Sequence, residues 1–505
     1  MTILIIYAGA LLAQQPERAI ADQRLTCITG KVTNTAYGDT LLLVVQGPFF
    51  TYQNDPEWRA AQVLKTTADQ NGEFKFQLST GNSPFHVSLF LSSKRTPKGY
   101  LIDKAAVSDY LIEPGDSINV IFGEKNRYYT GKGAALFDAQ FAIRQTDPEE
   151  KILKGSGNDS FKAGIKKWIG QKDSLLKAQL NLLRNYQAKL SPVCYGIISA
   201  DIIGTNRAAV CAEMMPIITL LQSNNAKSVD PNLADVLKEI KQGFTDINPT
   251  DRSCLAPRYI YYLFLKLRFK LTYDHIFNGN NAPDYNYFPA IIEQYSGILR
   301  DKLLAFWLIM AASKNLLQPE FLVHALTVMK TPVFIQITQE LQATYAKGQA
   351  VTDFNFKNAE GKTVRLSDFR GKILLVDLWF SGCGGCLAVA AGLPTVEKAF
   401  ENRSGVAFIS ISIDKDKQLW LRSIDKNPSG KAYTHYTTPT TTYLYTGGTG
   451  EDNPFIKRYV AEHGYPTLLI IDKAGKVYSS IPVHPVNAEL QKALIKELNE
   501  ALASN

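Results

Sequence analysis

Val376-Asp377-Leu378-Trp379-Phe380-Ser381-Gly382-Cys383-Gly384-Gly385-Cys386 is the most informative segment of this 505-residue chain. An apolar run from Ile373 to Leu378 has the composition of a buried strand, and small residues connect it to two cysteines. Helix-permissive residues follow. If Cys383 lies at the first turn of that helix, its sulfur faces unpaired backbone N–H groups and the positive end of the helix dipole, which stabilise a thiolate. The spacing therefore predicts a reactive cysteine and, one turn on, a second thiol that can resolve a mixed disulfide.

The segments around this stretch predict an α/β domain. Beyond a polar boundary near Lys347-Gly348-Gln349, strand-like runs alternate with helical patterns, as in a layered domain with a central sheet. The predicted strands are Ile373–Leu378, Val406–Ile413 and Leu468–Ile471. Four helices are predicted: one after Cys386, one around Gln418–Ile424, one near Phe455–His463 and one that begins at Asn487. A turn is predicted at Asp472–Lys476.

Two motifs in this region carry a family resemblance. The Asp-x-Trp-x-x-x-Cys-x-x-Cys frame of residues 377–386 and the Tyr465-Pro466-Thr467 segment occur in this order, each beside a predicted strand. Residues 346–505 thereby resemble thioredoxin-fold proteins, and among them the TlpA/ResA-like periplasmic thiol:disulfide oxidoreductases. The resemblance implies a thioredoxin fold with a redox-active disulfide, in which Cys383 is the attacking thiolate and Cys386 the resolving thiol.

The resemblance also implies roles for the neighbouring residues. Asp377 matches a buried acid that relays a proton to the resolving cysteine, and desolvation of a carboxyl group there raises its pKa toward neutrality. Pro466 matches a cis-proline opposite the cysteines, and the segment Tyr465-Pro466-Thr467 is predicted to bind substrate, with main-chain groups of Tyr465 presented to an extended peptide. Trp379 is predicted to support the active-site loop by packing beneath it.

Three residues depart from the family pattern. Gly382 stands where many relatives have Trp directly before the first cysteine, so the rim of the site is predicted to be less apolar. The dipeptide between the cysteines is Gly384-Gly385, without the common proline, and its backbone freedom leaves the reduction potential open. Val389 stands where ResA-like proteins carry an acid, which puts a role in cytochrome c maturation in doubt.

Other interpretations of the cysteine pair stay open. It can be a structural disulfide, or half of a zinc site, although zinc needs four ligands and no second CxxC or patterned histidine supplies them. No metal and no cofactor are predicted. The remaining four cysteines, Cys27, Cys194, Cys211 and Cys254, form no motif, and we expect single buried thiols, with a Cys194–Cys211 bridge as an unsupported alternative.

Residues 24–130 are predicted to form a small β-sandwich-like domain. Phe74, Phe76 and Leu78 alternate with polar residues after a turn at Asp69–Gly72, and Ile118, Val120 and Phe122 do so after the turn Glu113-Pro114-Gly115-Asp116. The region resembles the β domain that often precedes thioredoxin-like modules in Gram-negative bacteria. The resemblance depends on Gly30–Val32 and these two turns.

Residues 131–345 are predicted to be a helical domain or connector. Leu175, Leu176, Leu180, Leu183 and Tyr186 have helical spacing, and 298–313 and 321–329 have the composition of buried helices. The chain is therefore predicted to be multidomain, in agreement with its length.

The first 23 residues are predicted to be a signal segment and leader. Ile3 to Ala13 is apolar, too short to span a bilayer and suited to the hydrophobic part of a secretory signal, although no Lys or Arg precedes it. A buried first strand is the alternative. We expect an exported protein of the periplasm or cell envelope, without a transmembrane span in the mature chain.

Composition excludes few partners but favours a soluble protein. The content is 45% hydrophobic and 20% charged, with a net charge of +8. The densest basic segment, Tyr259 to Leu271, is explained by basic side chains that extend from a packed helix, so no nucleic-acid partner is predicted.

The leading hypothesis is an exported thiol:disulfide oxidoreductase that reduces disulfides in client proteins and is re-reduced by an envelope dithiol donor. The alternative is a non-catalytic envelope protein that binds a partner or senses redox state through a thioredoxin-like docking module. A thiol peroxidase is a third possibility, but Phe380 stands where peroxiredoxins need Thr or Ser. The direction of electron flow, the client, the donor and the oligomeric state are not determined by the sequence.

Overall fold

The structure of the protein, a computed structural model, consists of two compact units, Met1–Leu303 and Leu304–Asn505. It describes residues 24–32, 40–47, 49, 61–92, 94–96, 99–101, 104–122, 127–146, 158–223, 237–238, 240–241, 251–279, 283–313, 317–401, 403–425, 436, 438, 440–460 and 464–504. The predicted signal segment and leader, residues 1–23, lies outside the described residues.

Ten strands of the first unit form two four-stranded sheets and one two-stranded sheet among the described residues. The larger sheets have the orders β10-β9-β1-β4 and β3-β2-β5-β8, and β6 pairs with β7. The strands are β1 Arg24–Val32, β2 Thr40–Val45, β3 Gln62–Thr67, β4 Glu73–Thr80, β5 Phe85–Ser92, β6 Lys94–Thr96, β7 Gly99–Leu101, β8 Lys104–Ile112, β9 Ser117–Phe122 and β10 Arg127–Lys132.

The two larger sheets pack on one core, which makes this region a β-sandwich. Alternation directs Phe74, Phe76 and Leu78 of β4 inward, as predicted from the sequence, and they join buried residues of β2 and β5 in a single cluster. β10 ends at Lys132, and Phe137 of the following helix belongs to the same core. The core of this domain therefore extends beyond the predicted range 24–130.

Helices follow the β-sandwich, as the sequence predicted for the middle of the chain. Gly204 permits the close packing of two of them, because a Cβ atom there would lie 2.4 Å from the backbone of Arg258. The helices are α1 Ala134–Arg144, α2 Asn158–Arg184, α3 Pro192–Ser223, α4 Pro257–Asn278, α5 Pro283–Gln294, α6 Gly297–Ser313, α7 Pro319–Val328 and α8 Pro332–Tyr345.

Cys194, Cys211 and Cys254 are buried free thiols, and Cys27 is a half-buried one. Cys194 and Cys211 both lie on α3. Seventeen residues of α-helix separate them, which corresponds to roughly 25 Å at about 1.5 Å per residue. The alternative of a bridge between these two cysteines is therefore wrong.

The second unit contains a seven-stranded sheet among the residues that the structure describes. Its order is β12-β11-β15-β14-β13-β16-β17, with β13 parallel to β14 and antiparallel to β16. The strands are β11 Asn355–Lys357, β12 Thr363–Arg365, β13 Ile373–Trp379, β14 Val406–Ser412, β15 Thr442–Tyr445, β16 Thr467–Ile471 and β17 Val477–Ser479, and the helices are α9 Gly384–Lys398, α10 Lys417–Ser423, α11 Pro454–Val460 and α12 Ala488–Ala503.

Helices cover both faces of this sheet. All seven residues of β13 are buried, as its apolar composition predicts for a central strand. Leu374, Val376 and Leu378 pack on one face with residues of α11, whereas Ile373 and Leu375 pack on the other with residues of α9 and α12. This is the predicted thioredoxin-like fold.

The compact unit that contains this fold begins at Leu304, before the predicted boundary at residue 346. Two hydrogen bonds connect the end of α8 to the α/β region. Arg458 Nη2 donates to the carbonyl oxygen of Ala343 at 2.7 Å, and Ser480 Oγ donates to that of Tyr345 at 3.0 Å.

Within the described ranges, every helix is too short or too polar to cross a bilayer.

Candidate redox-active site

Cys383 and Cys386 form a disulfide at the N-terminus of α9. Their sulfur atoms are 1.99 Å apart and their Cα atoms 5.3 Å apart. Cys383 is the N-cap residue of α9, and its Sγ accepts a hydrogen bond from the backbone N–H of Cys386 at 3.1 Å. A sulfur at this position faces the N–H groups and the positive dipole of the first helical turn. The arrangement stabilises negative charge on Cys383 when the disulfide is reduced.

The two cysteines differ in how accessible they are. Cys383 is 7% exposed and Cys386 only 1%. Gly382, Gly384 and Gly385, which flank Cys383, are exposed and have no side chain to cover it. Another molecule therefore reaches Cys383 more readily than Cys386.

Two of the three glycines have structural reasons to be glycine. Gly382 has a φ of +93°, in the left-handed region, where a Trp side chain is strained. A Cβ atom on Gly385 would lie 3.0 Å from Cδ of Pro466. The departure at Gly382 thus follows from the backbone conformation, and a side chain at position 385 would lie in tight contact with Pro466.

The peptide bond between Tyr465 and Pro466 is cis, the conformation that the resemblance implied. Tyr465 also contributes to the rim of the site, because its ring meets that of Phe380 edge to face with centroids 5.4 Å apart. Both rings are half-buried and pack against the cluster that contains the two cysteines. The rim is therefore apolar although Gly382 lacks a side chain.

Thr467, the third residue of the predicted substrate-binding segment, has a buried side chain. Its side chain is 4% exposed, and its hydroxyl donates to the carbonyl oxygen of Gly464 at 2.5 Å. It stands opposite Leu378 in the pairing of β16 with β13. The side chain holds the turn before β16 instead of facing solvent.

Asp377 is a buried carboxyl group on the central strand. It lies between Ser410 of β14 and Leu468 of β16, on the sheet face that α9 covers. Burial raises its pKa from the ordinary 3.8 to about 7, and a hydrogen bond with Ser410 offsets this only in part. Among the described residues, its Oδ1 has no hydrogen-bond partner. The group can therefore gain or lose a proton near neutral pH.

Comparison with known proteins finds similarity in the C-terminal part of the chain. Residues 347–480 match the AhpC/TSA family. All the predicted site residues fall in this matched region.

Solved structures similar to the chain include several thiol–disulfide proteins. A putative thiol-disulfide oxidoreductase from Bacteroides vulgatus is 21% identical, with 30% of this chain and 97% of that chain covered and a TM-score of 0.25. A putative thiol:disulfide interchange protein DsbE from Chlorobium tepidum is 21% identical, over 31% and 99% of the two chains, with a TM-score of 0.25. A putative protein disulfide isomerase from Bacteroides thetaiotaomicron is 23% identical, over 32% and 92%, with a TM-score of 0.25.

Asp414, in the AhpC/TSA-matched region, holds the loop before the cysteines, and the sequence analysis did not identify it. Its carboxylate accepts hydrogen bonds from the backbone N–H of Ser381 at 3.0 Å and from the hydroxyls of Ser381 and Ser412 at 2.6 and 2.8 Å. The Ser381 hydroxyl also lies 2.7 Å from that of Ser423 on α10. The loop is thereby attached to the ends of β14 and α10.

Tyr436 is a second contact of the loop that the sequence analysis missed. Its hydroxyl accepts a hydrogen bond from the backbone N–H of Gly382 and donates one to the carbonyl oxygen of Cys383, each at 3.1 Å. Its ring stacks on Trp379, with centroids 4.1 Å apart. Trp379 is wholly buried in the cluster that contains both cysteines, which places it where the sequence predicted a packing residue.

Glu397 is a further buried carboxylate in the AhpC/TSA-matched region. It lies on α9 and accepts hydrogen bonds from the backbone N–H and hydroxyl of Thr440 and from the hydroxyl of Thr441, at 2.7 to 2.9 Å. Val389, where the family pattern has an acid, is wholly buried in the apolar core under α9. The carboxylate of Glu397 on α9 thus holds the segment before β15 by hydrogen bonds.

Proposed function

We propose that the protein is a thiol:disulfide oxidoreductase that reduces disulfides in client proteins through Cys383 and Cys386. The observation that carries the proposal is the placement of Cys383, which is both the N-cap of α9 and the more exposed of the two cysteines. The first property favours a thiolate and the second gives it access to a disulfide. The cis Tyr465–Pro466 segment lies beside Gly385 and offers main-chain groups next to the cysteine pair.

The proposed cycle begins with the reduced pair. The Cys383 thiolate attacks one sulfur of a client disulfide, forming a mixed disulfide and releasing a client thiolate. The Cys386 thiolate then attacks Cys383 Sγ, which closes the Cys383–Cys386 disulfide and releases the second client thiolate. Two electrons pass to the client, and the client sulfurs take up two protons. A dithiol donor of the envelope returns the enzyme to the reduced state by the reverse exchange.

In this cycle Asp377 accepts the proton of Cys386. A pKa of about 7 allows the carboxylate to take up the proton as Cys386 attacks and to release it afterwards. Its position under α9 and the hydrogen-bonding capacity left on Oδ1 support this role.

The cis Tyr465–Pro466 bond and the half-buried rings of Phe380 and Tyr465 are the proposed contact surface for client peptides. Main-chain groups of Tyr465 pair with an extended client segment, and the two rings pack on its apolar side chains. Thr467 supports this surface by holding its turn.

We further propose that the protein is exported to the periplasm or cell envelope, on the basis of the apolar segment near its N-terminus. Mass spectrometry of the N-terminus of protein recovered from cell fractions tests this. An envelope fraction whose protein begins near residue 24 is the expected result. Full-length protein in the cytosol would contradict it.

The primary test equilibrates the purified protein in graded thiol–disulfide buffers and counts alkylated Cys383 and Cys386 by mass spectrometry. A reversible two-electron transition is expected, and its midpoint gives the direction of electron flow. Cys383→Ser is expected to abolish client reduction, whereas Cys386→Ser traps a mixed disulfide. Full activity in either variant, or no transition at all, would refute the proposal.

The alternative is a binding or sensing protein in which the thioredoxin-like module serves as a docking surface. The observation that favours it is the extent of the first unit, which has hydrophobic cores of its own in the β-sandwich and around α3. Client pull-down with the Cys383→Ser, Cys386→Ser double variant separates the two functions. Undiminished binding together with a redox-inert wild type would favour the alternative.

A thiol peroxidase is the third hypothesis, and it has less support. Phe380, three residues before Cys383, has an aromatic ring engaged with Tyr465 where peroxidase chemistry requires a hydroxyl. Peroxide consumption with a supplied reductant is expected to stay at the level of the Cys383→Ser variant.

A further inference from the structure

Tyr436 makes two hydrogen bonds with adjoining groups of the redox-active loop through one hydroxyl. The Gly382 N–H donates to it, and it donates to the Cys383 carbonyl oxygen, both at 3.1 Å. The two groups belong to consecutive residues, so the hydroxyl closes a ring across the Gly382–Cys383 peptide unit. Gly382 has a φ of +93°, and the bridge holds the chain in this conformation.

The same carbonyl oxygen also begins α9. It accepts the backbone N–H of Leu387 at 3.2 Å, the bond that closes the first turn of the helix. Tyr436 therefore contacts the loop at the point where it becomes helix. The Cys383 Sγ that projects from this point accepts the N–H of Cys386.

The ring of Tyr436 is itself held in place. It is 3% exposed and stacks on Trp379 with an interplanar angle of 20°. Its backbone N–H donates to the carbonyl oxygen of Ser423 at the end of α10. Since both ends of the residue are anchored, the hydroxyl is a fixed point against which the loop is positioned.

We propose that Tyr436 is a positioning residue that keeps Cys383 at the N-terminus of α9 and thereby favours its thiolate in the reduced protein. The hydroxyl does not touch either sulfur, and it acts through the backbone on both sides of Cys383. Without it, the Gly382–Cys383 unit samples other conformations in which the sulfur is further from the N–H groups of the first turn. The inference deepens the proposed function, since the thiolate is the attacking group in that function.

The test is Tyr436→Phe, which removes the hydroxyl and retains the stacked ring. The variant is expected to fold. Gly382 is exposed, so water can replace the hydroxyl as the acceptor of its N–H. The carbonyl oxygen of Cys383 still accepts the hydrogen bond from the backbone N–H of Leu387. Each protein is reduced with a phosphine, and the rate of iodoacetamide labelling of the peptide containing Cys383 is followed by mass spectrometry across pH. Mass spectrometry separates this peptide from those of the other cysteines.

In Tyr436→Phe, labelling at pH values below the pKa of Cys383 is expected to slow about fivefold, the factor expected for the loss of one ordinary hydrogen bond. The inflection of the pH profile moves upward. At pH values above the pKa of Cys383, where the thiolate is populated, a less stable thiolate makes the reduced state less stable. The dithiol–disulfide equilibrium there moves about fivefold toward the disulfide, which corresponds to about 20 mV toward more negative potential.

Tyr445→Phe is the matched control. Tyr445 is also buried in the cluster around the cysteines and stacks on a tryptophan, Trp420, and its hydroxyl donates to a backbone carbonyl, that of Lys415. Among the described residues its hydroxyl makes no hydrogen bond with the loop, and both variants lose the hydroxyl of a buried tyrosine. Tyr445→Phe is expected to leave the labelling profile and the equilibrium at the wild-type values.

Two results would overturn the inference: a Tyr436→Phe profile that coincides with wild type or moves downward, and equal upward shifts in both variants. Circular dichroism and the thermal midpoint confirm that the compared proteins are folded. The labelling assay needs no client and no electron donor. If the wild type reduces no client while Tyr436→Phe alone shifts the profile, the proposed function fails and the positioning role stands.

Discussion

Asp377 is a buried carboxyl group whose charged form is disfavoured by desolvation. Its pKa of about 7 in the folded protein lies above the ordinary 3.8 of the unfolded chain. Between these values the folded state holds a proton that the unfolded state has released, so stability falls as the pH rises from about 4 to about 7. Above pH 7 the free energy of unfolding is lower than at pH 4 by on the order of 4 kcal/mol because of this group.

Asp377→Asn is therefore expected to stabilise the oxidised protein above pH 7 by a few kcal/mol and to have little effect near pH 4. The amide has no charge to desolvate, so the variant lacks the decline in stability between these pH values. Urea unfolding at a series of pH values measures this. Parallel stability curves for the variant and the wild type would show that the carboxyl group does not titrate in this range.

Substitution of Asp414, in contrast to that of Asp377, is expected to destabilise the protein. Its carboxylate accepts three hydrogen bonds from Ser381 and Ser412, and their donors are left without this partner in Asp414→Ala. The Ser381 hydroxyl keeps Ser423 as a partner, so two donors are left without one. At about 1 to 3 kcal/mol for each buried group, we expect a destabilisation of about 2 to 6 kcal/mol. Asp416→Ala is the control, because Asp416 caps α10 from an exposed position and its removal costs about 1 kcal/mol. Equal unfolding midpoints for the two variants would contradict the role of Asp414.

At the scale of secondary structure, α9 is the helix that carries the Cys383–Cys386 disulfide at its N-terminus, and its packing requires a glycine. A Cβ atom on Gly392 would lie 1.8 Å from the carbonyl oxygen of Pro485, so the helix and the segment before α12 approach at backbone distance. Pro394, in the same helix, has no N–H to donate to the preceding turn. The middle of α9 thus lacks one helical hydrogen bond and lies in close contact with the segment before α12.

Gly392→Ala is expected to destabilise the protein by about 1 to 3 kcal/mol, because the backbone of one element must move. Gly384→Ala in the first turn of α9 is the control, since a Cβ atom there meets no atom within 4 Å and Ala favours helix. Thermal unfolding of both variants in the oxidised state distinguishes them. A Gly392→Ala variant as stable as Gly384→Ala would mean that α9 can shift freely on the sheet.

At the scale of the whole molecule, the compact unit Leu304–Asn505 includes helices that precede the thioredoxin-like fold. Leu341 and Tyr345 of α8 are buried, and carbonyl groups at the end of this helix accept hydrogen bonds from Arg458 and Ser480. These contacts connect α8 to α11 and to the segment after β17. The helix is therefore part of the compact unit that contains the Cys383–Cys386 disulfide.

A fragment of residues 304–505 is accordingly expected to be more stable to urea than a fragment of residues 346–505. The shorter fragment leaves Arg458 and Ser480 without these acceptors and exposes the surface that Leu341 and Tyr345 cover. The difference should amount to about 2 kcal/mol or more. Both fragments retain the Cys383–Cys386 disulfide, which serves as an internal control for the fold. Coinciding unfolding curves would place the folding boundary at residue 346.

The sequence alone predicted the features that arise from short-range patterns. The strand β13 and the placement of Cys383 at the start of α9 follow from apolar runs, small residues and a helix-permissive segment that are contiguous in the chain. The burial of Asp377 was implied by the family resemblance. The strands β11, β12, β15 and β17 were missed, because with three or four residues each they are too short to show alternation.

The residues that surround the loop before the two cysteines are brought together by the tertiary structure. Asp414 lies 33 positions after Ser381, and Tyr436 lies 54 positions after Gly382, within a polar stretch that has no periodicity. Their hydrogen bonds form because β13, β14 and α10 bring distant segments together, and no local propensity encodes such contacts. The cysteine pair and the helix that follows Cys383 were thus predictable from the sequence, since they depend on neighbouring residues. The environment that holds the pair depends on packing and was determined by the fold.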